Sequence, residues 1–513
     1  MPARRDWIFY LLGLAIAAIC FVLPLWRFQF TLFWHDSQRV GEILILGLAT
    51  LGLTIYSFRS SATFPSLPRK SQLTLCAIAA AGLLSAALSR QPMWALVEWG
   101  LFFALMGLAY AIALARRANP QWVDYGILGL ISLTCAALTA RDLAAYAGLM
   151  VRGDGVLNVH EIFTGFSNPR FFGQFVSLTL PILAVVAISK DRLRRYAVPA
   201  FILLVLWWLL AIASGTRGTW LGLAAAFVML SWQGTNARRW TAAQAVAAFI
   251  GAMLYWWLFT VIPQQWSTEL SGHASTRLTT SLSGREVIWQ QAVDLIVANP
   301  ILGNGPMHFA DVINNNATHP HQSFLQWAAE WGLPSAIAVI VLIAAAAVAV
   351  FRKIRSESAS ESDISMLRIG VAAALVASLT QSLVDGVLVM PYTQLWLAII
   401  AGWCLGLHWG RDSYSSIGPA VGDDPSTTVI TPRHSRWPLW LALMLLWASL
   451  GVLGHRVKSD LPYLNTRMVQ FVFSGISGHL QPRFWSQGII GMDRWKPLER
   501  QRGHQEPSRK EGS

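Results

Sequence analysis

Charge is what this chain has least of: Asp, Glu, Lys and Arg make up 13% of its 513 residues, against 54% hydrophobic residues. A soluble domain carries about 25% charged residues, so a largely water-exposed globule is excluded. Cysteine is scarce too. Cys20, Cys76, Cys135 and Cys404 each lie inside an apolar run without ligand-like spacing, which leaves small buried hydrophobes and no disulfide framework or thiolate metal site. The chain has no Walker loop, no GxGxxG and no paired metal-binding carboxylates in its long loops, and no repeat of solenoid period. No nucleic-acid module accompanies the formal charge of +13; Lys and Arg come in short bursts between apolar segments, the pattern that orients membrane helices. No A-x-A-like site follows the first apolar run, and Ile19 ahead of Cys20 spoils a lipoprotein site, so Trp7 to Trp26 reads as a spanning helix.

What the chain does have is thirteen apolar runs near the length of about 20 residues that crosses a hydrocarbon core. They lie at 7–26, 40–58, 72–89, 93–115, 122–140, 171–189, 196–213, 216–232, 241–262, 333–351, 364–384, 387–408 and 437–454. The expected fold is all-α: a polytopic membrane protein of about 12–13 transmembrane helices, with a large periplasmic loop containing short helices. With the N-terminus in the cytoplasm, twenty Lys and Arg fall on that side and nine on the other, with ten of the 39 in the tail. That bias supports the orientation. The resulting parts are N-terminal helices (1–140), a first loop outside the cytoplasm (141–170), helices (171–262), a large loop outside the cytoplasm (263–332), helices (333–408), a cytoplasmic linker (409–436), a last helix (437–454) and a basic tail (455–513). The linker is rich in Pro, Gly, Ser, Thr and Asp and reads as flexible. PRFWSQG in the tail is aromatic and basic enough to lie on an anionic surface.

Chemistry-bearing residues gather in the outer loops. Ser283-Gly284-Arg285-Glu286 has the spacing of a capping box, which puts Arg285 in the first turn of a helix where the dipole favours an anion. A guanidinium there suits phosphate, or equally a headgroup or carboxylate. Arg217, in SGTRGTWLG at the mouth of a hairpin, is either kept for function or a snorkelling anchor. Asn168-Pro169 marks a turn and Arg170 opens the next helix, as a third anion contact or an anchor. In His319-Pro320-His321-Gln322, Pro320 suits a first helical position, and His321 is either a general base or a helix-capping histidine. On a helical wheel Glu330 falls about 180° from His321, too far to orient it. His273, His308, His319 and His321 are an alternative zinc set, though without defining spacing. Asp385, one turn after Gln381, lines the same cavity or makes a structural hydrogen bond.

Four stretches together, GFSNPRFFGQ, ASGTRGTWLGL, SGREVIWQQAVDLIVANPILGNGP and HPHQSFLQWAAEWGLP, resemble the O-antigen ligase and polymerase superfamily of bacterial envelope glycan transferases. They cover about residues 160–350 in the family's order. The ligase branch has His, then Asn, Ser or Gln, nine residues, then Gly; His321-Gln322 and Gly332 fit, whereas Ser335 departs from the Gly, Thr or Tyr that follows. Residues 1–140 and 390–513 match only as hydrophobic segments.

The resemblance implies a metal-independent, inverting glycosyltransferase of the bacterial inner membrane, its active site facing the periplasm, with no cofactor and no metal. The donor would be an undecaprenyl-diphosphate-linked glycan, and the acceptor a surface acceptor such as lipid A core. Arg217 and Arg285 would engage the diphosphate and His321 would activate the acceptor hydroxyl, with His319 the fallback base. Arg170, Asn168, His319 and Asp385 are expected to bind substrate. A polymerase joining repeat units and a protein O-oligosaccharyltransferase share this chemistry and differ in acceptor. A lipid-linked glycan transporter is the reading from another class, but paired, interrupted hydrophobic halves are not visible. Membrane lipids are expected partners and nucleic acid is not.

Overall fold

The computed structural model describes residues 7–59, 65, 67–152, 156–266, 269–271, 284–312, 314–358, 360, 362–409, 437–473 and 479–491. The first helices are α1 (Trp7–Val22), α2 (Trp34–Arg59), α3 (Arg69–Leu88), α4 (Pro92–Ala118) and α5 (Pro120–Arg152). A short α6 (Val159–Ile162) leads to α7 (Pro169–Ala187), α8 (Ala197–Ala213), α9 (Arg217–Ser231), α10 (Thr235–Trp256) and α11 (Ile262–Gln265). After the large loop come α12 (Arg285–Ala298), α13 (Ser323–Trp331), α14 (Leu333–Ser356), α15 (Asp363–Ser382) and α16 (Pro391–Trp409), then α17 (Trp437–Asp460) and α18 (Leu464–Phe473). The two long loops are joined by a parallel pair of three-residue strands, β1 (Val156–Asn158) and β2 (Glu269–Ser271).

The fold is all-α and polytopic apart from that small ladder. Ten helices among the described residues are long and apolar enough to cross a membrane, and α1 and α9 are shorter apolar helices. All thirteen apolar runs are helical over most of their length. The proposed linker, from 410 to 436, lies outside the described residues.

Burial sorts the helices into a centre and a rim. The membrane-length window of α7 is 83% buried, while that of α14 is only 11% buried, so α7 is the protein-facing axis and α14 faces lipid. Phe172 and Phe175 on α7 pack with Trp207 of α8 and with Tyr392 and Trp396 of α16. Helix α15 packs against both α7 and α9. At the α9 crossing a Cβ on Gly222 would stand 2.2 Å from the Ala377 carbonyl oxygen, so only glycine permits that approach. Small hydroxyls tie the same helices: Thr219 Oγ1 donates to the Gly173 carbonyl at 2.8 Å, and Ser177 Oγ donates to Gln381 Oε1 at 2.6 Å. Hydrogen bonds of this kind hold helices in register where water is absent. The first turns of α7 and α9 and the end of α15 are thereby fixed at one end of the bundle.

Candidate active site

Three arginines open three helices at that end. Asn168 is the N-cap of α7; its Oδ1 accepts the Arg170 N–H at 2.9 Å, and Pro169 fills the first helical position. The hairpin from α8 to α9 is a turn through Gly215 at φ +60°, which leaves Arg217 as the first residue of α9 and exposed. Gly284, at φ +75°, is the N-cap of α12, so Arg285 is its first residue. The expected capping box fails on register: the cap position is Gly284, not Ser283, which lies outside the described residues.

Arg170, Arg217 and Arg285 are electrostatic neighbours. Burial lowers the pKa of Arg285, Arg170 and Arg217 lower it further, and Asp385 opposes them. A guanidinium remains charged under such a shift, so Arg285 is a partly desolvated cation with two others beside it. Among the described residues, Arg285 thus has two cations and one carboxylate as charged neighbours, an arrangement suited to an anion.

The histidine loop faces these arginines. Its frame is the Asn314 side chain, whose Oδ1 accepts the backbone N–H groups of Asn316 and Ala317, both at 2.8 Å. Trp289 Nε1 of α12 donates to the Pro320 carbonyl at 3.0 Å, tying the loop to the helix that carries Arg285. His321 Nδ1 lies 3.9 Å from Asp385 Oδ1, and the His321 and His319 rings meet edge to face with centroids 4.1 Å apart. Asp385 is itself held, its Oδ2 accepting from Gln381 Nε2 at 3.1 Å and its Oδ1 from the Gly386 N–H at 2.8 Å. His319 is fully buried against Gly386 and neither ring nitrogen makes a well-formed hydrogen bond; burial, with His321, Arg483 and His35, holds its pKa well below the ordinary 6.5, the Pro482 carbonyl working the other way.

Burial pushes the His321 pKa down to about 4; Asp385 works upward, and Arg170, Arg285 and His479 work downward. The imidazole is therefore neutral at pH 7 and can accept a proton. Its backbone is at φ +53°, a left-handed conformation that a non-glycine residue adopts only where the surroundings impose it.

That conformation corrects the helical-wheel argument. Pro320 and His321 precede the helix: α13 starts at Ser323, with Gln322 as N-cap accepting the Leu325 N–H at 2.5 Å. Glu330 is remote from His321 for another reason, because it is committed to Phe309 N–H at 3.1 Å and to Arg483 at 2.7 Å. His308 is turned away from the other histidines: its Nε2 accepts the Gln91 N–H at 2.9 Å and its Nδ1 faces the Pro306 carbonyl at 3.0 Å. His273 lies outside the described residues, and among those described no three His, Cys, Asp or Glu converge as metal ligands.

The structure also corrects the reading of PRFWSQG as a surface segment. Arg483, Phe484, Trp485 and Ser486 are each at most 2% exposed. The segment runs beneath the histidine loop, where Thr318 Oγ1 donates to the Pro482 carbonyl at 2.9 Å. Arg483 bonds Glu98 of α4 at 2.8 Å and Glu330 of α13 at 2.7 Å. A lone Glu98 inside an apolar run was the signal that a cation had to reach it, but the partner is 385 residues away in sequence.

Comparison with curated proteins found no match. The model of the O-antigen ligase family matches residues 201–340, the stretch that contains Arg217, Arg285, His319 and His321, whereas Asn168, Arg170 and Asp385 lie outside it. Over residues 201–340 the chain is therefore similar to the O-antigen ligase family, and its membrane-length helices make it a multi-pass membrane protein.

Proposed function

We propose that this protein transfers a glycan from undecaprenyl diphosphate to a hydroxyl of a surface acceptor such as lipid A core, on the periplasmic face of the inner membrane. The observation that carries the reading is the shared site: a neutral histidine 3.9 Å from Asp385 stands beside Arg170 and Arg285, and Arg217 is a further neighbour of Arg285.

Each residue has a step. Arg217 and Arg285, with Arg170 beside them, hold the diphosphate and stabilise the charge that develops on it as the bond to the anomeric carbon breaks. Asp385 on the Nδ1 side turns the Nε2 of His321 toward the acceptor. Nε2 takes the hydroxyl proton as the oxygen attacks the face opposite the diphosphate, so configuration inverts. The lipid diphosphate leaves as an anion that the arginines already bind, and no metal is required by this route. Donor binding also strengthens the base, because a bound dianion offsets the arginines that hold the His321 pKa down.

The test is transfer by purified protein in liposomes with an undecaprenyl-diphosphate-linked glycan and three acceptors offered separately: lipid A core, a second lipid-linked repeat, and a pilin-like protein. His321→Ala, Arg285→Ala and Arg217→Ala are each expected to abolish transfer in protein that still inserts and folds. Full transfer by His321→Ala would remove the catalytic assignment and leave His319 as the base, whereas no transfer to any acceptor by the parent would favour a transporter. Product on the second or third acceptor alone would make the enzyme a polymerase or a protein glycosyltransferase.

A further inference from the structure

The segment after α18 is buried from Arg483 to Ile490. Arg483 is 1% exposed and shares two carboxylates, Glu98 and Glu330. With its amide oxygen turned toward Arg483, Gln326 of α13 accepts from both terminal guanidinium nitrogens at 3.1 Å. Desolvating an arginine and two glutamates is costly, and an apolar cluster of the same volume stabilises a fold as well or better. What such a cluster does not supply is direction.

The directed bonds go to the histidine loop. Gln481 Nε2 donates to the Asn314 carbonyl at 3.0 Å, and Thr318 Oγ1 donates to the Pro482 carbonyl at 2.9 Å. His479 Nε2 lies 2.9 Å from the Asn316 carbonyl. Behind the segment, Arg39 Nε of α2 donates to the Phe484 carbonyl at 3.0 Å, and His35 Nε2 lies 3.2 Å from the Arg483 carbonyl. The segment is thus anchored on α2, α4 and α13 and grips three positions of the loop that ends at His321. Among the described residues, the hydrogen bonds of Gln481, Pro482 and Arg483 reach none of the first turns of α7, α9 and α12, where the arginines stand.

We infer that residues 479–487 are a positioning clamp for the catalytic base, anchored by Arg483 and Thr318, and that they set the rate of transfer without contributing to donor binding. Resting on the assignment of His321 as the base, this gives the C-terminal segment a place in the active centre. Arg483 touches neither donor nor acceptor; it acts through Glu330, Gln326 and Thr318 on the loop.

Full-length Arg483→Gln, Arg483→Lys and Thr318→Val in liposomes test this, with His321→Ala as reference. Binding of an undecaprenyl-diphosphate-linked glycan gives the number of donor sites per chain and the Kd, and transfer at saturating donor gives kcat. Arg483→Gln and Thr318→Val are expected to bind one donor per chain with Kd within about twofold of the parent, while kcat per donor site falls roughly 10- to 100-fold, the usual cost of a misplaced catalytic group. Arg483→Lys should recover part of the loss. If Arg483→Gln does not fold, Thr318→Val decides, since it removes one hydroxyl and keeps the volume. Unchanged kcat per donor site overturns the inference, and so does a loss of kcat only in step with lost donor sites, which marks a purely structural role. Full transfer by His321→Ala overturns the assignment of the base and this inference with it; a dead His321→Ala beside a fully active Thr318→Val overturns this inference alone.

Discussion

His321 Nδ1 and Asp385 Oδ1 are 3.9 Å apart, although the two residues come from different elements, one just before α13 and the other just after α15. With His321 neutral, the two are neighbours without a hydrogen bond, and catalytic contacts are commonly this long before substrate binds. Ser323 Oγ and Ser382 Oγ, 3.0 Å apart, pin the two elements together beside it.

Asp385→Asn separates orientation from diphosphate binding. It keeps the shape of the side chain and removes a charge that opposes the arginines around Arg285. Steady-state kinetics should show kcat lower by roughly 10²-fold, within the range of one acid–base contribution, with donor KM unchanged or lower. A higher KM at unchanged kcat would instead make Asp385 a substrate contact.

Arginine substitutions should act on donor affinity and be sensitive to shape as well as charge. Arg285→Lys keeps the cation and loses the planar fork. A charge-assisted hydrogen bond contributes about 1.5–3 kcal/mol, so Arg285→Lys or Arg217→Ala should weaken donor binding by roughly 10- to 100-fold. Unaltered donor Kd in liposome binding would place the diphosphate elsewhere.

The pH profile carries a sign. His321 works as a base only when neutral, and burial holds its pKa near 4 rather than the ordinary 6.5. The groups facing it are Asp385 after α15, which raises the value, and Arg170 of α7, Arg285 of α12 and His479 of the C-terminal segment, which lower it. For the free enzyme, kcat/KM for donor should therefore stay flat from pH 7 to about 5 and fall only as pH approaches 4. Asp385→Asn removes the one group working upward, so its acid limb should move to lower pH still. A parent limb centred on 6.5 would show that His321 is not the titrating base.

Gly332 is where the glycine of the ligase pattern has a mechanical reason. It joins α13 to α14 at φ +83°, and a Cβ there would lie 2.0 Å from the Ile301 carbonyl oxygen. Gly332→Ala combines backbone strain of about 1–3 kcal/mol with a backbone clash. The expected outcome is loss of folded protein in detergent, measured by size exclusion and thermal unfolding; a normally folded variant would show that the junction can rearrange.

Much of the site was legible because its residues carry local marks. Arg170 sits at a helix start announced by Asn168-Pro169, Arg285 sits in the first turn expected of it although the cap is Gly284 and not Ser283, and His321 was singled out by its spacing to Gly332. The wheel placement of His321 went wrong because Pro320 fits a first helical turn as well as the turn ahead of it. Only Gln322, taking the cap, and the left-handed φ of His321 settle where the helix begins.

The sequence by itself determined the membrane class and the set of chemical groups, since apolar run length and helix-start residues are properties of neighbours along the chain. Tertiary structure alone decided that Asp385 faces His321 and that Arg483 is buried between Glu98 and Glu330. Those pairs form because desolvated charges must find partners wherever packing brings them, across separations of 385 and 153 residues in the case of Arg483.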